Sequence, residues 1–163
     1  MAKMRIPALI FVLVALLLAL PVVVWLYVPG PMPVYAQTIS ITLTDAGDEG
    51  IIFGEVDPGS ENVGDVSQNA NTPAVGVWVG SETAVSVNIS IRGTTTDTIP
   101  LNKWKYSTTF DGTKYSINST YDVVYSGVSS NNTYAFYHWV DVPEDTLPGS
   151  YNCTISYKAV ALP

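Results

Sequence analysis

Residues 84–93 read AVSVNISIRG, a run in which apolar, mostly β-branched side chains stand at every second place. Val85, Val87, Ile89 and Ile91 fall on one face and Ser86, Asn88, Ser90 and Arg92 on the other, the two-residue period of a strand with one face against a core. This pattern recurs through the chain beyond residue 36, where no helical period of useful length competes with it. The chain is therefore expected to build sheets.

Shorter β-branched runs, IIFGEV at 51–56 and AVGVWVG at 74–80, predict two further strands, separated by a polar stretch from Asp57 to Pro73. In the turn-former DPGSENVG, Pro58 sets φ and Gly59 accepts the turn. The run WKYSTTFDGTKYSIN at 104–118 predicts a hairpin, with Asp111-Gly112 supplying the positive φ angles of a type I′ turn. YDVVYSG and NTYAFYHWVDV extend the set. After Pro148-Gly149 the last run places Tyr151, Cys153, Ile155, Tyr157 and Ala159 on one face. Eight to ten short strands without helices predict an all-β fold, a single antiparallel β-sandwich of jelly-roll type over residues 51–163.

The first 36 residues are read as a separate segment. Lys3 and Arg5 precede an apolar run from Ile6 to Val28, and VPGPMPVYA follows with small or short side chains at Val34 and Ala36. That layout predicts a secretory signal cut after Ala36. The run is also long enough to span a bilayer, so an uncleaved membrane anchor is the alternative, disturbed by Pro7 and Pro21. On either reading the remainder lies outside the cytoplasm. Of seven basic residues two precede residue 37 and all fourteen acidic ones follow it, so the remaining 127 residues carry 5 − 14 = −9. Such a surface repels nucleic acid. With Cys153 the only cysteine, no disulfide can form within the chain, and its register predicts a small buried hydrophobe.

Chemistry is thinly represented. The one histidine, His138, alternates with Tyr134, Phe136 and Val140 and lacks a partner for base catalysis, so it is read as structural; no catalytic residue and no cofactor are assigned, and the chain is not read as an enzyme. Asp45, Asp48 and Glu49 in DAGDEG offer oxygen ligands for Ca²⁺ without the spacing of a calcium loop. Residues 45–50 are read as a flexible linker. Four N-x-Ser/Thr sequons, at Asn88, Asn118, Asn131 and Asn152, predict glycosylation, with Asn88 and Asn152 on the polar sides of their strands.

One stretch remains, QTISITLT at 37–44, whose Ile39, Ile41 and Leu43 alternate with Thr38, Ser40, Thr42 and Thr44. It either forms the first strand of its own sandwich or inserts into the open sheet of a neighbouring subunit. The leader, this Thr/Ile strand, GIIFGEVDPGS at 50–60 and VPEDTLPGSYNCTISYKAV at 142–160 resemble the exported jelly-roll subunits of archaeal bundling pili, which are similar to bacterial biofilm-matrix fibre proteins of the TasA and camelysin kind. The resemblance implies that Ile39, Ile41 and Leu43 belong to a donor strand and that the sandwich from about Gly50 onward is its acceptor. It also implies a homopolymer of copies joined head to tail, neighbouring filaments as partners in bundles, and an extracellular or cell-surface location. The alternative expectation is a membrane-anchored surface or adhesion domain whose first strand pairs within its own sheet.

Overall fold

The computed structural model describes residues 38–45 and 50–162. The leader expected over 1–36 and the linker residues 46–49 lie outside the described residues, and with them the calcium question at Asp48 and Glu49. The described residues contain nine strands: β1 (Ile41–Asp45), β2 (Val63–Gly64), β3 (Val75–Val79), β4 (Val87–Thr94), β5 (Trp104–Ser107), β6 (Tyr115–Ser116), β7 (Asp122–Val128), β8 (Asn132–Val140) and β9 (Thr154–Ala161). A single 3-10 turn, Leu101–Lys103, precedes β5. Every pairing is antiparallel. The larger sheet runs β1-β3-β8-β5-β6 with β2 beside the end of β8, and the smaller runs β7-β4-β9. The fold is all-β, as the alternation requires.

The inward row of β4, Val87, Ile89 and Ile91, is sealed from solvent, and β9 pairs with β4 along its length from Val87↔Ala161 to Thr94↔Thr154. Aromatic rings join the two sheets. Phe136 on β8 stands edge-on to Tyr157 on β9 at 4.9 Å and to Tyr125 on β7 at 5.4 Å, contacts worth roughly 0.5–1.5 kcal/mol each beyond the area they bury. Tyr125 also donates its hydroxyl to the Ala135 carbonyl at 2.6 Å, so burying its polar end leaves no unpaired group.

From Phe136 to Val140 β8 is buried on both faces, although its sequence alternates only partly. The cause is the connection between β5 and β6, which folds over the outer face. Phe110 meets Tyr137 edge-on at 5.8 Å, and the Lys114 ammonium sits 4.6 Å from the centre of the Trp139 ring. The hairpin itself forms, with Lys105↔Ser116 and Tyr106↔Tyr115 paired. Its turn differs from the sequence expectation: a seven-residue connection replaces a two-residue loop, and Gly112 is not among the positive-φ residues. Within the excursion the chain turns at residues 109–112, Gly112 N donating to Thr109 O at 3.2 Å.

A second difference concerns residues 51–56, which are extended but belong to no ladder. Gly54 takes φ +71°, a left-handed conformation that breaks strand geometry. The segment is held instead by the buried carboxylate of Asp65, which accepts from Ile52 N at 2.6 Å and from Ser67 N at 2.8 Å. Ile51, Phe53 and Val56 pack against the core from this irregular path. The DPGS turn forms as expected, with Ser60 N donating to Asp57 O at 3.2 Å and Gly59 at φ +83°.

Along one edge of β8, β3 ends at Val75↔Phe136 and β2 begins at Gly64↔Trp139. The Gln68 side-chain amide bridges this interval, donating Nε2 to His138 O and accepting from His138 N, both at 2.8 Å. Gly64 makes room for it, since a Cβ there would stand 2.6 Å from Gln68 Nε2.

Candidate functional site

β1 pairs antiparallel with β3 of the same chain, in the register Ile41↔Val79, Thr42↔Trp78, Leu43↔Val77, Thr44↔Gly76 and Asp45↔Val75. Before it, Ser40 O accepts from Gly80 N at 2.8 Å and Ser40 N donates to the buried Thr83 hydroxyl at 3.2 Å. The exposed Glu82 carboxyl is held below its usual range, first by the Ser40 side chain. In the single chain, then, residues 40–45 close on their own sheet, the arrangement given as the alternative to donation.

Its attachment is one-sided. β1 is the terminal strand of the larger sheet and β3 is its only strand neighbour among the described residues. Ile39 and Ile41 are half-buried against the core, as their shared face predicts, whereas Leu43 is 52% exposed. Leu43 borders a cleft of about 1000 Å³. Val75 on β3 lies on the same side, and Ile155 and Tyr157 on β9 face it across the gap, with Ile51, Phe53, Val142 and Tyr151 lining the remainder. β9 is likewise terminal in its sheet, bonded only to β4. The sandwich is thus open along the side where both sheets end. Apolar side chains crowd the rim: Leu147 is 77% exposed and Ile52 37%.

The sequence did not single out this cleft. Its signal is the mixed character of residues 50–58 and 146–153, apolar enough to pack yet broken by Gly50, Gly54, Pro58, Pro148 and Gly149. Segments of that kind line openings because they bring apolar side chains without a ladder to seal the edge.

His138 is completely buried, with Nε2 2.7 Å from the Tyr157 hydroxyl and Nδ1 without a hydrogen-bond partner. Burial pushes its imidazole down to about 4, against opposing pulls from the Lys105 backbone and the Asp65 carboxylate, and pushes the Tyr157 phenol up. The ring lies in the inward row with Phe136 and Val140, and only one of its nitrogens is satisfied. Cys153 is half-buried, borders the cleft, and has its thiol pushed up to about 11, chiefly by burial. A thiol so protonated is a weak nucleophile.

The four sequons differ in setting. Asn118, Asn131 and Asn152 are exposed, Asn131 in a turn at φ +58°. Asn88 is half-buried and its Oδ1 accepts from Gly127 N at 3.0 Å, which leaves Nδ2 unengaged. The Asn118 amide donates to the Asp122 carboxylate at 2.6 Å. Compared with protein-family models, with curated proteins and with solved structures, the chain matches none of them.

Proposed function

We propose that this protein is a structural, non-enzymatic subunit of an extracellular filament, exported by its leader and polymerised through exchange of its N-terminal strand. The observation that carries the reading is the attachment of β1, which cleavage after Ala36 would leave near the N-terminus: it is bonded on one edge only, half-covered, beside a cleft where the second sheet also ends. The next copy's β1 would take the same place on β3. Hydrogen bonds and side-chain pockets are then kept on exchange, as in other strand swaps, and the balance rests on effective concentration and on the further surface that two adjoining copies bury.

Magnitudes support a concentration-dependent process. The burial of Ile39 and Ile41 is the same before and after exchange, so what offsets an association cost of about 4 to over 15 kcal/mol is the covering of exposed Leu43, about 2 kcal/mol at full burial, together with the new surface between copies. Leu43 and the rim residues Ile52 and Leu147 retain exposed apolar area, which a second copy over the cleft would bury. A heterologous contact of this sort propagates as a filament. The jelly-roll assignment belongs to the same proposal. It is supported by the path of the chain, which crosses between sheets from β3 to β4, β4 to β5, β6 to β7, β7 to β8 and β8 to β9.

The test uses two singly substituted proteins in a Cys153→Ala background. Thr42→Cys in one and Trp78→Cys in the other place thiols at paired positions of β1 and β3. Strand exchange predicts covalent heterodimers on mixing and oxidation; their absence from assembled material refutes it. The second reading, a membrane-anchored surface or adhesion domain, is favoured by the in-chain ladder from Ser40 to Asp45. It predicts a retained apolar run at 6–28 on N-terminal sequencing, and disulfides only within chains carrying both substitutions.

A further inference from the structure

Arg92 on β4 and Lys158 on β9 stand on the outer face of the smaller sheet, diagonal neighbours in the register Ser90↔Lys158 and Arg92↔Ser156. Both converge on Tyr121. The guanidinium carbon lies 4.6 Å and the ammonium nitrogen 5.5 Å from the centre of its ring. Val123, abreast of Ser90 and Lys158 and 57% exposed, completes an apolar and cationic patch. Two of the five basic residues beyond residue 36 are thus brought to one aromatic ring in a chain otherwise dominated by carboxylates.

Neither cation has a carboxylate within ion-pair distance among the described residues, where the one ion pair is Lys105–Asp141 at 2.5 Å. Arg92 Nε is buried without an acceptor. Like charges held side by side repel, and the negative face of Tyr121 offsets this only in part. An anion placed between them would relieve it.

The same fold concentrates anions elsewhere. Residues 57–62 run beside 141–145, tied by Gly59 N to Val142 O at 2.9 Å and Val142 N to Ser60 O at 2.8 Å. This brings together the exposed carboxylates of Asp57, Glu61, Glu144 and Asp145, and a Cβ on Gly59 would lie 3.3 Å from Glu144 Cγ. The acidic turn and the cationic patch do not meet within one chain. We infer that the Arg92–Lys158–Tyr121 face receives the acidic turn at Glu144 and Asp145 of a second copy. Charge complementarity selects this occupant: the guanidinium fork suits a carboxylate, and another copy is a partner always at hand. Patch and turn are different surfaces, so the contact is heterologous and can repeat from copy to copy. It needs no exchange of β1.

Self-association is measured by sedimentation velocity on the full chain carrying Thr42→Cys and Trp78→Cys with Cys153→Ala, oxidised in dilute solution and isolated as the species with an intrachain disulfide, which pins β1 to its own β3 and removes strand exchange from the result. Association should weaken at least about tenfold between roughly 0.05 M and 1 M salt, as expected for exposed charges. Lys158→Glu alone, and Glu144→Lys with Asp145→Lys alone, should each abolish it. Mixing these two charge-reversed proteins should restore association between them. Lys158 is exposed, so its reversal leaves the core intact, which the melting curve checks. Association indifferent to salt, or no recovery on mixing, overturns the proposal. So does a Lys158→Glu protein that loses only its retention on an acidic polysaccharide, polygalacturonate, while still self-associating.

Discussion

His138 makes stability depend on acid in a window set by its burial. In the unfolded chain its imidazole titrates near 6.5, while in the fold burial pushes it down to about 4. The native state therefore holds the neutral ring, and its contribution is fully present above about pH 6.5. As pH falls from 6.5 to 4 the unfolded state takes up the proton first, and stability is lost progressively across that interval. At about 1.4 kcal/mol per pH unit the difference amounts to about 3 kcal/mol, a large part of a small domain's stability. As His138 is the only histidine, its ring protons give a single NMR titration, expected to have its midpoint near 4. Urea unfolding at intervals from pH 4 to 7.5 gives the energetic counterpart. The comparison protein is His138→Leu with Tyr157→Phe, which removes both partners of the 2.7 Å contact and leaves no orphaned hydroxyl. Its stability should fall by about 3 kcal/mol less over the same interval. Parallel pH profiles for the two proteins, or a ring titrating near 6.5, would refute the reasoning.

Further outcomes follow from packing. Ile41→Asp places a carboxylate on the half-buried side of β1, so assembly should be lost while residues 50–162 keep their fold; electron microscopy reads the first and circular dichroism the second. Gly93→Ala drives a methyl group to 2.7 Å from both Ile117 Cγ2 and Leu101 Cδ1, and should destabilise by roughly 1–3 kcal/mol in a denaturant titration. Mass spectrometry of exported protein should find sugar on at least one sequon, at exposed Asn118, Asn131 or Asn152 before half-buried Asn88. Unmodified asparagine at all four refutes the glycan expectation.

What could be read from sequence was what depends on neighbours two residues apart. β4, β9 and the inward row of β8 announce themselves by alternation because one face of each meets the core. Residues 51–56 mislead for the same reason: their apolar, β-branched character is real, but Gly54 at φ +71° and the distant Asp65 carboxylate decide the path. The expected Asp111-Gly112 turn is displaced by one residue: Gly112 N donates to Thr109 O at 3.2 Å, and Phe110, inside that turn, meets Tyr137. The cleft and the Arg92–Lys158–Tyr121 face were illegible, since each is assembled from segments tens of residues apart. For β1, the sequence revealed a strand and the chain's own β3 accepts it; which molecule supplies that β3 in an assembly is a matter of concentration, which no single sequence encodes.

The Gln68 bridge on β8 has a consequence for how the larger sheet breathes. Where β3 stops and β2 starts, the His138 amide proton is guarded by a side-chain carbonyl and not by a backbone ladder. Turning one rotamer frees that proton without moving any strand, so its hydrogen exchange reports a local opening independent of global unfolding. The two parts of the sheet on either side are thereby joined as by a latch, and a chain need not register β2 and β3 against each other to complete β8. Gln68→Glu would test the latch directly: it keeps the oxygen facing His138 N but sets a second oxygen against the His138 carbonyl, turning an attraction into a repulsion at a single seam.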